Sequence, residues 1–442
     1  MTTCRRGIFV KLLLNALVFV TGTAAAGPSV FEHVNVVPMT TGTVLRDYTV
    51  VTDGDHIVAV GKASDVSIPP NALRIAAEGK YLVPGLHDMH AHFFGGKDGA
   101  ECILRLHALN GVTTILNMRG TSGALEMRGQ VARGERIGPT IFTTSPILGN
   151  ADPNPKTYEK GVEAVEEFHA QGYDFIKVYN QIPAEGYRGV VETAHRLGMP
   201  VIGHAVRAVG IEGAIASGQH VAHMEEFIYG YFGEDLNEAA IAPLATRLKD
   251  AGICVVATLI TYHNIIRQVE DIQKMLASPG IEYLPQALVK NWFPEMNTYL
   301  RGFNQQDVDS RLRPAFEFQR KLTKRFRAAG VPIMTGTDCT IPIVVPGYAL
   351  HDELAELVDA GLTPYQAIEA ATAAPAKFLG VFDNVGSIEQ GKRADLILLE
   401  DNPLENIRNT QHRAGVMVRG RWFDKDEVRR LLEELKPTAT SS

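Results

Sequence analysis

The middle of the chain alternates short apolar runs rich in β-branched residues with longer amphipathic stretches. Stretches such as Gly161–Gln171 and Tyr187–Leu197 place their apolar residues on one helical face, as helices packed outside a sheet do. A repeated alternation of strand and helix favours parallel βα units. The runs predicted to be barrel strands are Leu86–His90, Thr113–Asn117, Thr140–Thr144, Phe175–Val178, Val201–Gly203, Val221–His223, Ile253–Ala257 and Val331–Thr335. These eight strands predict an α/β fold in which a closed (β/α)8 TIM barrel occupies residues 85–383.

Both ends of the chain show a different pattern, with short β-rich runs separated by turn signals rich in glycine and proline. Such runs fill residues 27–84, and they return within residues 384–434, in Ala394–Leu399 and Gly415–Trp422. The two end segments are therefore predicted to pair into one small β-sandwich domain. Residues 435–442 are predicted to be a flexible tail.

The first 26 residues have the pattern of a secretory signal peptide. Arg5, Arg6 and Lys11 supply a positive flank, and an apolar run extends from Leu12 to Val20 before a group of small residues. Because the run is too short to span a bilayer comfortably, we expect cleavage, with no stable membrane insertion afterwards. The mature protein would be periplasmic or secreted. An uncleaved membrane anchor is the alternative, and the export route stays open.

The composition narrows the classes of partner. The 442 residues carry a formal net charge of −7, and removal of the three cationic residues in segment 1–26 makes it −10. An acidic, well-mixed surface argues against a nucleic acid partner. The three cysteines left after cleavage, at positions 102, 254 and 339, are too few and too widely spaced for a disulfide framework. We expect a small-molecule substrate, and association into a homo-oligomer stays open.

Two histidines, His90 and His92, stand two positions apart at the end of the first predicted barrel strand. Alternate residues of a strand face the same side, so both imidazoles would point to the mouth of the barrel, where barrel enzymes keep their chemistry. Other strands end close to further polar side chains, namely Lys177, His204, His223 and Asp338. Each of these has an ordinary structural explanation on its own. Together they predict a metal site.

These motifs resemble the metal-dependent amidohydrolase superfamily, and within it the imidazolonepropionase-like and Xaa-Pro dipeptidase-like amidohydrolases. The resemblance covers nearly all of the predicted mature chain. It is carried by Pro84–His92, Phe175–Lys177, His204, His223, Thr337-Asp338, Gly361–Ile368 and Gly386–Leu399.

The resemblance implies a binuclear centre in which six side chains bind two divalent ions. The more buried ion would be held by His90, His92 and Asp338, and the more exposed ion by His204 and His223. Lys177 would bridge the ions as a carboxylated lysine. A free ammonium has no lone pair for a cation, whereas its carbamate is an anionic bridge with two oxygens.

The same resemblance implies the chemistry. Zinc suits imidazole and carboxylate ligands, although other divalent ions fit the same donors. A hydroxide shared by the two ions would attack the substrate carbonyl, and Asp338 would both bind metal and pass a proton to the leaving nitrogen. If Lys177 were unmodified, the centre would reduce to one ion held by His90, His92, His204 and Asp338.

Two further histidines stand close to the predicted ligands. His87 precedes His90 by three positions, and we expect it in the core or just outside the ligand set. His220 precedes His223 by three positions, so the preference for His223 rests on the family pattern rather than on spacing.

Substrate contacts are predicted from position alone. The candidates on loops after barrel strands are Arg119, Tyr179, Tyr229 and Tyr231, and the last barrel helix adds His351 and Glu353. Arg119 is the preferred residue for binding a substrate carboxylate, and a loop-bracing ion pair is its alternative role.

The sequence therefore predicts an exported, binuclear metal-dependent amidohydrolase that cleaves an amide or peptide C–N bond, as in a dipeptide or an N-acyl amino acid. A second prediction is a hydrolase of cyclic amides, lactones or phosphotriesters, because the same hydroxide attacks all of these electrophiles. A third is a non-catalytic scaffold with the same fold. The complete ligand set argues against the scaffold, which needs none of these residues.

Overall fold

The computed structural model describes residues 27–94, 96–149 and 153–437. The predicted signal peptide and residues 438–442 of the predicted tail lie outside them. Strands β1 to β16 are, in chain order, Ser29–Val36, Leu45–Asp53, His56–Lys62, Leu73–Ile75, Tyr81–Pro84, Leu86–Ala91, Val112–Asn117, Thr140–Thr143, Ile176–Val178, Val201–Gly203, His220–Ala222, Val255–Val256, Ile333–Met334, Leu396–Leu399, Arg413–Val418 and Arg421–Asp424. Helices α1 to α16 are Gly96–Leu109, Ser122–Ala132, Tyr158–Gln171, Ala184–Leu197, Gly210–Ala216, Glu225–Phe227, Ile241–Asp250, Leu259–Leu276, Gln286–Val289, Thr298–Gly302, Gln305–Asp307, Arg313–Ala329, Tyr348–Asp359, Pro364–Ala370, Ala373–Phe378 and Lys425–Glu433.

Both ends of the chain contribute to one sheet. Its strand order is β16-β15-β14-β5-β1-β2-β3, and β4 pairs with β1. Strand β14 joins the two halves by running antiparallel to β5, with Leu396 opposite Pro84. Phe31 and Trp422, from opposite ends of the chain, pack edge to face with ring centroids 5.4 Å apart. The chain ends thus form one module, which we call the terminal module, while its folding into a two-layered sandwich stays a prediction.

The predicted flexible tail is anchored at its start. Helix α16 closes the terminal module, and Leu435 packs against the main hydrophobic core just after the helix ends. The ammonium of Lys436 lies 2.7 Å from the carboxylate of Glu433. Residues 435 and 436 therefore continue the folded module rather than a flexible tail.

The middle of the chain contains the parallel strands that its pattern predicted. Each of the eight predicted barrel strands overlaps one of the strands β6 to β13. Strands β6, β7 and β8 form one parallel sheet and β9 to β13 a second. Parallel bridges pair Thr144 with Phe175 and Leu148 with Val178, which connects β8 to β9. The Met89 N–H in β6 donates to the carbonyl of Thr335, just after β13, at 3.0 Å, which connects the other edges of the two sheets.

Both faces of these strands are covered, as expected for parallel sheets. The largest hydrophobic cluster lies between the strands and the surrounding helices. A separate inner cluster takes its residues from strands of both sheets: Met89, Leu116, Met118, Phe175, Ile202, Ala222, Val256 and Met334. The polar side chains at the strand ends therefore lie above a closed hydrophobic layer.

A long insertion follows β12 and shapes one side of the strand ends. It contains α8 to α12, and its short helices bring Tyr299, Phe303 and Leu312 over the ends of the parallel strands. Among the described residues, no helix is both long and apolar enough to cross a bilayer.

Candidate metal centre

The six predicted metal ligands lie at one end of the parallel strands. His90 is in β6 and His92 follows it, while His204 and His223 each follow directly after the strands β10 and β11. Lys177 is the middle residue of β9. Asp338 follows β13. We call this set, His90, His92, Lys177, His204, His223 and Asp338, the ligand cluster.

The side chains of the ligand cluster are in mutual contact. The Oδ1 atom of Asp338 lies 2.9 Å from Nε2 of His92 and 3.3 Å from Nε2 of His90. The ring centroids of His90 and His223 are 4.4 Å apart, and those of His223 and His204 are 4.6 Å apart. Four imidazoles and one carboxylate are thus neighbours, and the ligand atoms of His90, His92 and Asp338 lie within 4.8 Å of one another. Imidazole and carboxylate are the ligands that zinc prefers together with thiolate.

Lys177 lies beneath the imidazoles in an unusual environment for a lysine. Its side chain is 1% exposed, and its Nζ has no hydrogen-bond partner among the described residues. Burial lowers the pKa of Lys177 to about 8, although the charges of Asp338 and Glu226 oppose the shift. A lower pKa raises the fraction of neutral amine at pH 7, and a neutral amine is the form that can be carboxylated.

Burial favours the neutral form, which binds metal, for three imidazoles of the ligand cluster, those of His90, His204 and His223. Burial lowers the pKa of His90 and of His204 well below the ordinary value, and the charge of Lys177 acts in the same direction. Burial also lowers the pKa of His223 to about 4. A metal ion needs deprotonated imidazole nitrogen, so these rings are ready to bind one at neutral pH.

Buried nitrogen atoms without hydrogen-bond partners also support a metal site. The Nδ1 atom of His204 and the Nζ atom of Lys177 are buried and have no partner among the described residues. A buried polar atom without a partner is costly and calls for an explanation such as a bound ion or water. The Nδ1 of His223, in contrast, lies 2.9 Å from Oγ1 of Thr258, which orients that ring. The residues present therefore fit a metal centre.

Local backbone geometry holds Asp338 over the histidines. Asp338 and His223 have positive φ angles, of 51° and 78°, in a region that residues with side chains rarely adopt. The Asp338 N–H donates to the His90 carbonyl at 2.6 Å. A strained backbone conformation of this kind persists where many surrounding contacts hold it in place, and it is commonest at functional sites.

Asp88 supplies contacts that hold this turn, and the sequence did not single it out. Its Oδ1 accepts hydrogen bonds from the backbone N–H groups of Thr337 and His90, at 3.0 and 3.1 Å. Its Oδ2 accepts one from the Thr337 hydroxyl at 2.6 Å. Asp88 thus links the first strand of the site to the last. Its spacing of two from His90 was the available signal, because both residues face the same side of β6.

Gly336 permits the close approach of these two strands. A Cβ atom at this position would lie 2.8 Å from Cβ of His90 and 2.4 Å from Cγ1 of Val256. Contacts below 3 Å require displacement of the neighbours, so any side chain here would push Asp338 away from the histidines.

A pocket of about 550 Å³ opens above the ligand cluster. His204, His223 and Asp338 form part of its lining, together with Tyr179 and Tyr229, two of the predicted substrate residues. The rings of Tyr179 and His204 have centroids 4.0 Å apart. We call this the metal pocket.

The other predicted substrate residues do not line the metal pocket. Arg119 is exposed outside it, and Tyr231 packs edge to face on Phe232 at 4.9 Å. His351 is buried elsewhere, with Nδ1 3.1 Å from the Thr410 hydroxyl. Arg119, Tyr231 and His351 thus lie outside the lining of the metal pocket, and their role as substrate contacts stays a prediction.

The structure also separates the nearby histidines from the ligand cluster. His220 accepts a hydrogen bond from the Cys254 N–H at 3.2 Å, and its ring packs on Phe378. His87 is fully buried, and burial lowers its pKa to about 4. Glu353 is buried as well, and its Oε2 accepts from the Ile260 N–H at 2.8 Å.

Sequence reasoning missed several lining residues of the metal pocket. They are Asn180, Arg207, Glu225, Glu226, Tyr262, Tyr299 and Phe303. Glu226 is the most informative, since its Oε2 accepts from the Ala205 N–H at 3.0 Å while Oε1 lies 4.0 Å from Nε2 of His204. Burial raises its pKa to about 7. Its place three residues after His223 was the only sequence signal, whereas Tyr299 and Phe303 come from the insertion and had none.

Comparison with known proteins agrees with this arrangement. The chain is 27% identical to the ochratoxinase of Aspergillus niger, over 85% of this chain and 82% of that protein. It is 24% identical to the imidazolonepropionase of Pseudomonas syringae pv. tomato, over 84% and 92% of the two chains. A crystal structure of a Xaa-Pro dipeptidase superposes with a TM-score of 0.70 at 21% identity, over 90% of this chain and all of that one.

The structural similarity shows a shared fold, and the sequence pattern of a family is matched as well. Residues 81–423 match the amidohydrolase family. This range runs from β5 into β16 and includes every residue of the ligand cluster. The resemblance that the sequence motifs indicated is thereby confirmed. With more than three quarters of its length matched, this chain belongs to the amidohydrolase family.

Proposed function

We propose that the protein is an exported, binuclear metal-dependent amidohydrolase that cleaves an amide or peptide C–N bond, as in a dipeptide or an N-acyl amino acid. The observation that supports this most is the convergence of the ligand cluster at one end of the parallel strands. Export rests on the signal-peptide pattern of residues 1–26, and it implies a periplasmic or secreted protein.

The proposal includes a closed barrel. Backbone hydrogen bonds and bridges join the two parallel sheets at both edges, and the inner hydrophobic cluster draws on both. A packed interior of this kind is typical of (β/α)8 barrels, whose active sites lie at the C-terminal ends of the strands. The ligand cluster lies at those ends.

The ligand cluster would be divided between two metal ions as the family resemblance implies. His90, His92 and Asp338 would hold one divalent ion and His204 and His223 the other, bridged by carboxylated Lys177. Zinc is the preferred ion for these donors. Such ions lower the pKa of bound water and polarise a carbonyl oxygen.

The chain's own residues would position the substrate and move the proton. Burial raises the pKa of Asp338, but the hydrogen bond from His92 opposes this shift, and the pKa is lowered to about 2. Asp338 is thus an ionised carboxylate at neutral pH, able to accept a proton and deliver it to the leaving nitrogen. The aromatic walls and Arg207 of the metal pocket suit a substrate with an apolar part and a carboxylate.

The names of the similar proteins favour amide and peptide bonds over other electrophiles. One is a Xaa-Pro dipeptidase and another an ochratoxinase. Hydrolysis of a cyclic amide, lactone or phosphotriester is the second candidate, favoured by the similarity to an imidazolonepropionase.

Metal analysis combined with a substrate panel tests the proposal. We expect about two equivalents of divalent metal per chain and turnover of dipeptides or N-acyl amino acids. Turnover restricted to lactones, cyclic amides or phosphotriesters would favour the second candidate. A metal-loaded protein that turned over none of these classes would support the non-catalytic scaffold and contradict the proposal.

Replacement of Lys177 tests the bridge between the metals. We expect Lys177→Ala to lose at least one metal equivalent and most of its activity, because the bridging ligand is removed. Short-chain carboxylates or bicarbonate should restore part of both, since a small anion can enter the vacated space. The same anions added to the wild type serve as the control and should give no increase. Full metal content and activity in Lys177→Ala would show that the bridge is absent.

A further inference from the structure

A second cavity lies outside the metal pocket, beside the terminal module. Its volume is about 860 Å³, and it shares no lining residue with the metal pocket. Its walls come from α8, the start of α13 and the segment that leads into β15. His351, predicted as a substrate contact, is one of its lining residues.

Arg413 places a positive charge in this wall, and neutral groups hold its guanidinium in position. Its Nη2 donates to Oδ1 of Asn110 at 2.6 Å, and its Nη1 lies 3.1 Å from Nε2 of His351 and 3.4 Å from the Thr410 carbonyl oxygen. The imidazole is uncharged, because burial lowers the pKa of His351 to about 3. Among the described residues, no carboxylate lies within 4.0 Å of the guanidinium.

Two of the other charged groups in the wall already have partners of opposite charge. Glu270 forms an ion pair with Arg313. The guanidinium of Arg267 lies 3.2 Å from a carboxylate oxygen of Glu356. Neither pair leaves a charge for a ligand.

The remaining wall acids are also partnered. Asp352 accepts a hydrogen bond from the Gln411 amide at 3.2 Å, and the positive charge of Arg408 acts on it. Asp271 accepts one from the Lys274 N–H at 3.0 Å. Among the described wall residues, Lys274, Arg408 and Arg413 have no carboxylate within 4.0 Å, and of these three only Arg413 is half-buried, whereas the other two are exposed to solvent.

Apolar groups complete the lining. They are Met275, Pro279, Ile343, Val345, Tyr348 and Ala349. The volume is in the range of small-molecule sites, and the apolar residues form one part of a lining that is otherwise polar and charged.

We propose that this cavity binds a small monocarboxylate with an apolar body. The carboxylate would pair with Arg413, whose planar fork matches two carboxylate oxygens. The apolar body would pack on the apolar lining. A second negative charge on the ligand would be repelled by Asp352 and Asp271, which disfavours phosphate and dicarboxylates.

Calorimetric titration of the metal-loaded full chain with phenylacetate tests this site. We expect saturable binding with one ligand per chain, and at least ~10-fold weaker binding of both phenylacetamide and inorganic phosphate. Arg413→Met should weaken phenylacetate binding by at least ~10-fold. The matched control is Arg419→Met, which changes a half-buried arginine of the same module that donates to the Gly138 carbonyl and does not line the cavity. It should leave binding unchanged.

Other outcomes would overturn the proposal. Binding that chelation abolishes and Arg413→Met leaves intact would place phenylacetate at the metals. Phosphate binding tighter than that of phenylacetate would contradict the ligand class. If Arg413→Met fails to fold, Arg408→Glu decides, since Arg408 is exposed and its reversal adds a negative charge to the wall. Binding weakened at least ~3-fold would support the site, and unchanged binding would refute it.

Discussion

Removal of divalent metal abolishes amide hydrolysis, and added zinc, cobalt or manganese restores it: this is the largest effect that we expect. The ligand cluster offers imidazole and carboxylate donors that suit a divalent ion, and such an ion would activate the attacking water. Activity should be measured on dialysed, chelator-treated protein whose metal content is determined in the same sample. Full activity in protein shown to contain no metal would refute the metal-dependent proposal.

A single substitution should reproduce the loss. His90→Ala removes a buried imidazole that lies 3.3 Å from Asp338, so we expect the hydrolysis rate to fall at least ~10²-fold together with metal content. His195→Ala is the matched control, because it makes the same change on the exposed side of α4. It should retain both metal and rate.

Asp338→Asn should separate proton transfer from folding. Asparagine keeps the size of the side chain and one oxygen able to bind metal, but it cannot accept a proton from the attacking water. We expect kcat to fall at least ~10²-fold, the usual scale for a positioned acid–base group, while the fold and much of the metal remain. The measurements are kcat, metal content and the circular dichroism spectrum.

Asp401→Asn is the control for this change, since Asp401 is exposed beside His412 in the terminal module. Its rate should stay within about twofold of the wild type, as for most surface substitutions. If Asp338→Asn itself turned over substrate at a nearly normal rate, Asp338 would be only a ligand. Proton transfer would then pass to another buried group of the metal pocket, for which Glu226, 4.0 Å from His204, is a candidate.

The strands and the ligand cluster could be predicted because their signals are local. Alternation at the end of β6 predicts that His90 and His92, the residue just after the strand, face the same side. An apolar run followed by a polar residue marks the end of the strand at His204 and His223. These patterns depend on residues within a few positions of each other. They carry over to the folded chain because parallel strands bring their ends together.

The substrate residues could not be predicted in the same way. Tyr179 and Tyr229 line the metal pocket, whereas Tyr231, two positions after Tyr229 in the π-helical turn Ile228–Phe232, packs on Phe232. Position after a strand therefore indicates the correct end of the parallel strands, but it does not indicate the direction of a side chain.

The sequence by itself determined the βα alternation, the pairing of both chain ends, the identity of the ligand cluster and the family, because periodicity and motif are properties of neighbouring residues. Only the tertiary structure decided which side chains surround each functional residue. His351 illustrates the reason: its partners Thr410 and Asn110 are 59 and 241 positions away, and packing at that separation assigned it to a second cavity. Tyr299 and Phe303 reached the metal pocket from the insertion in the same way, through contacts that no local pattern encodes.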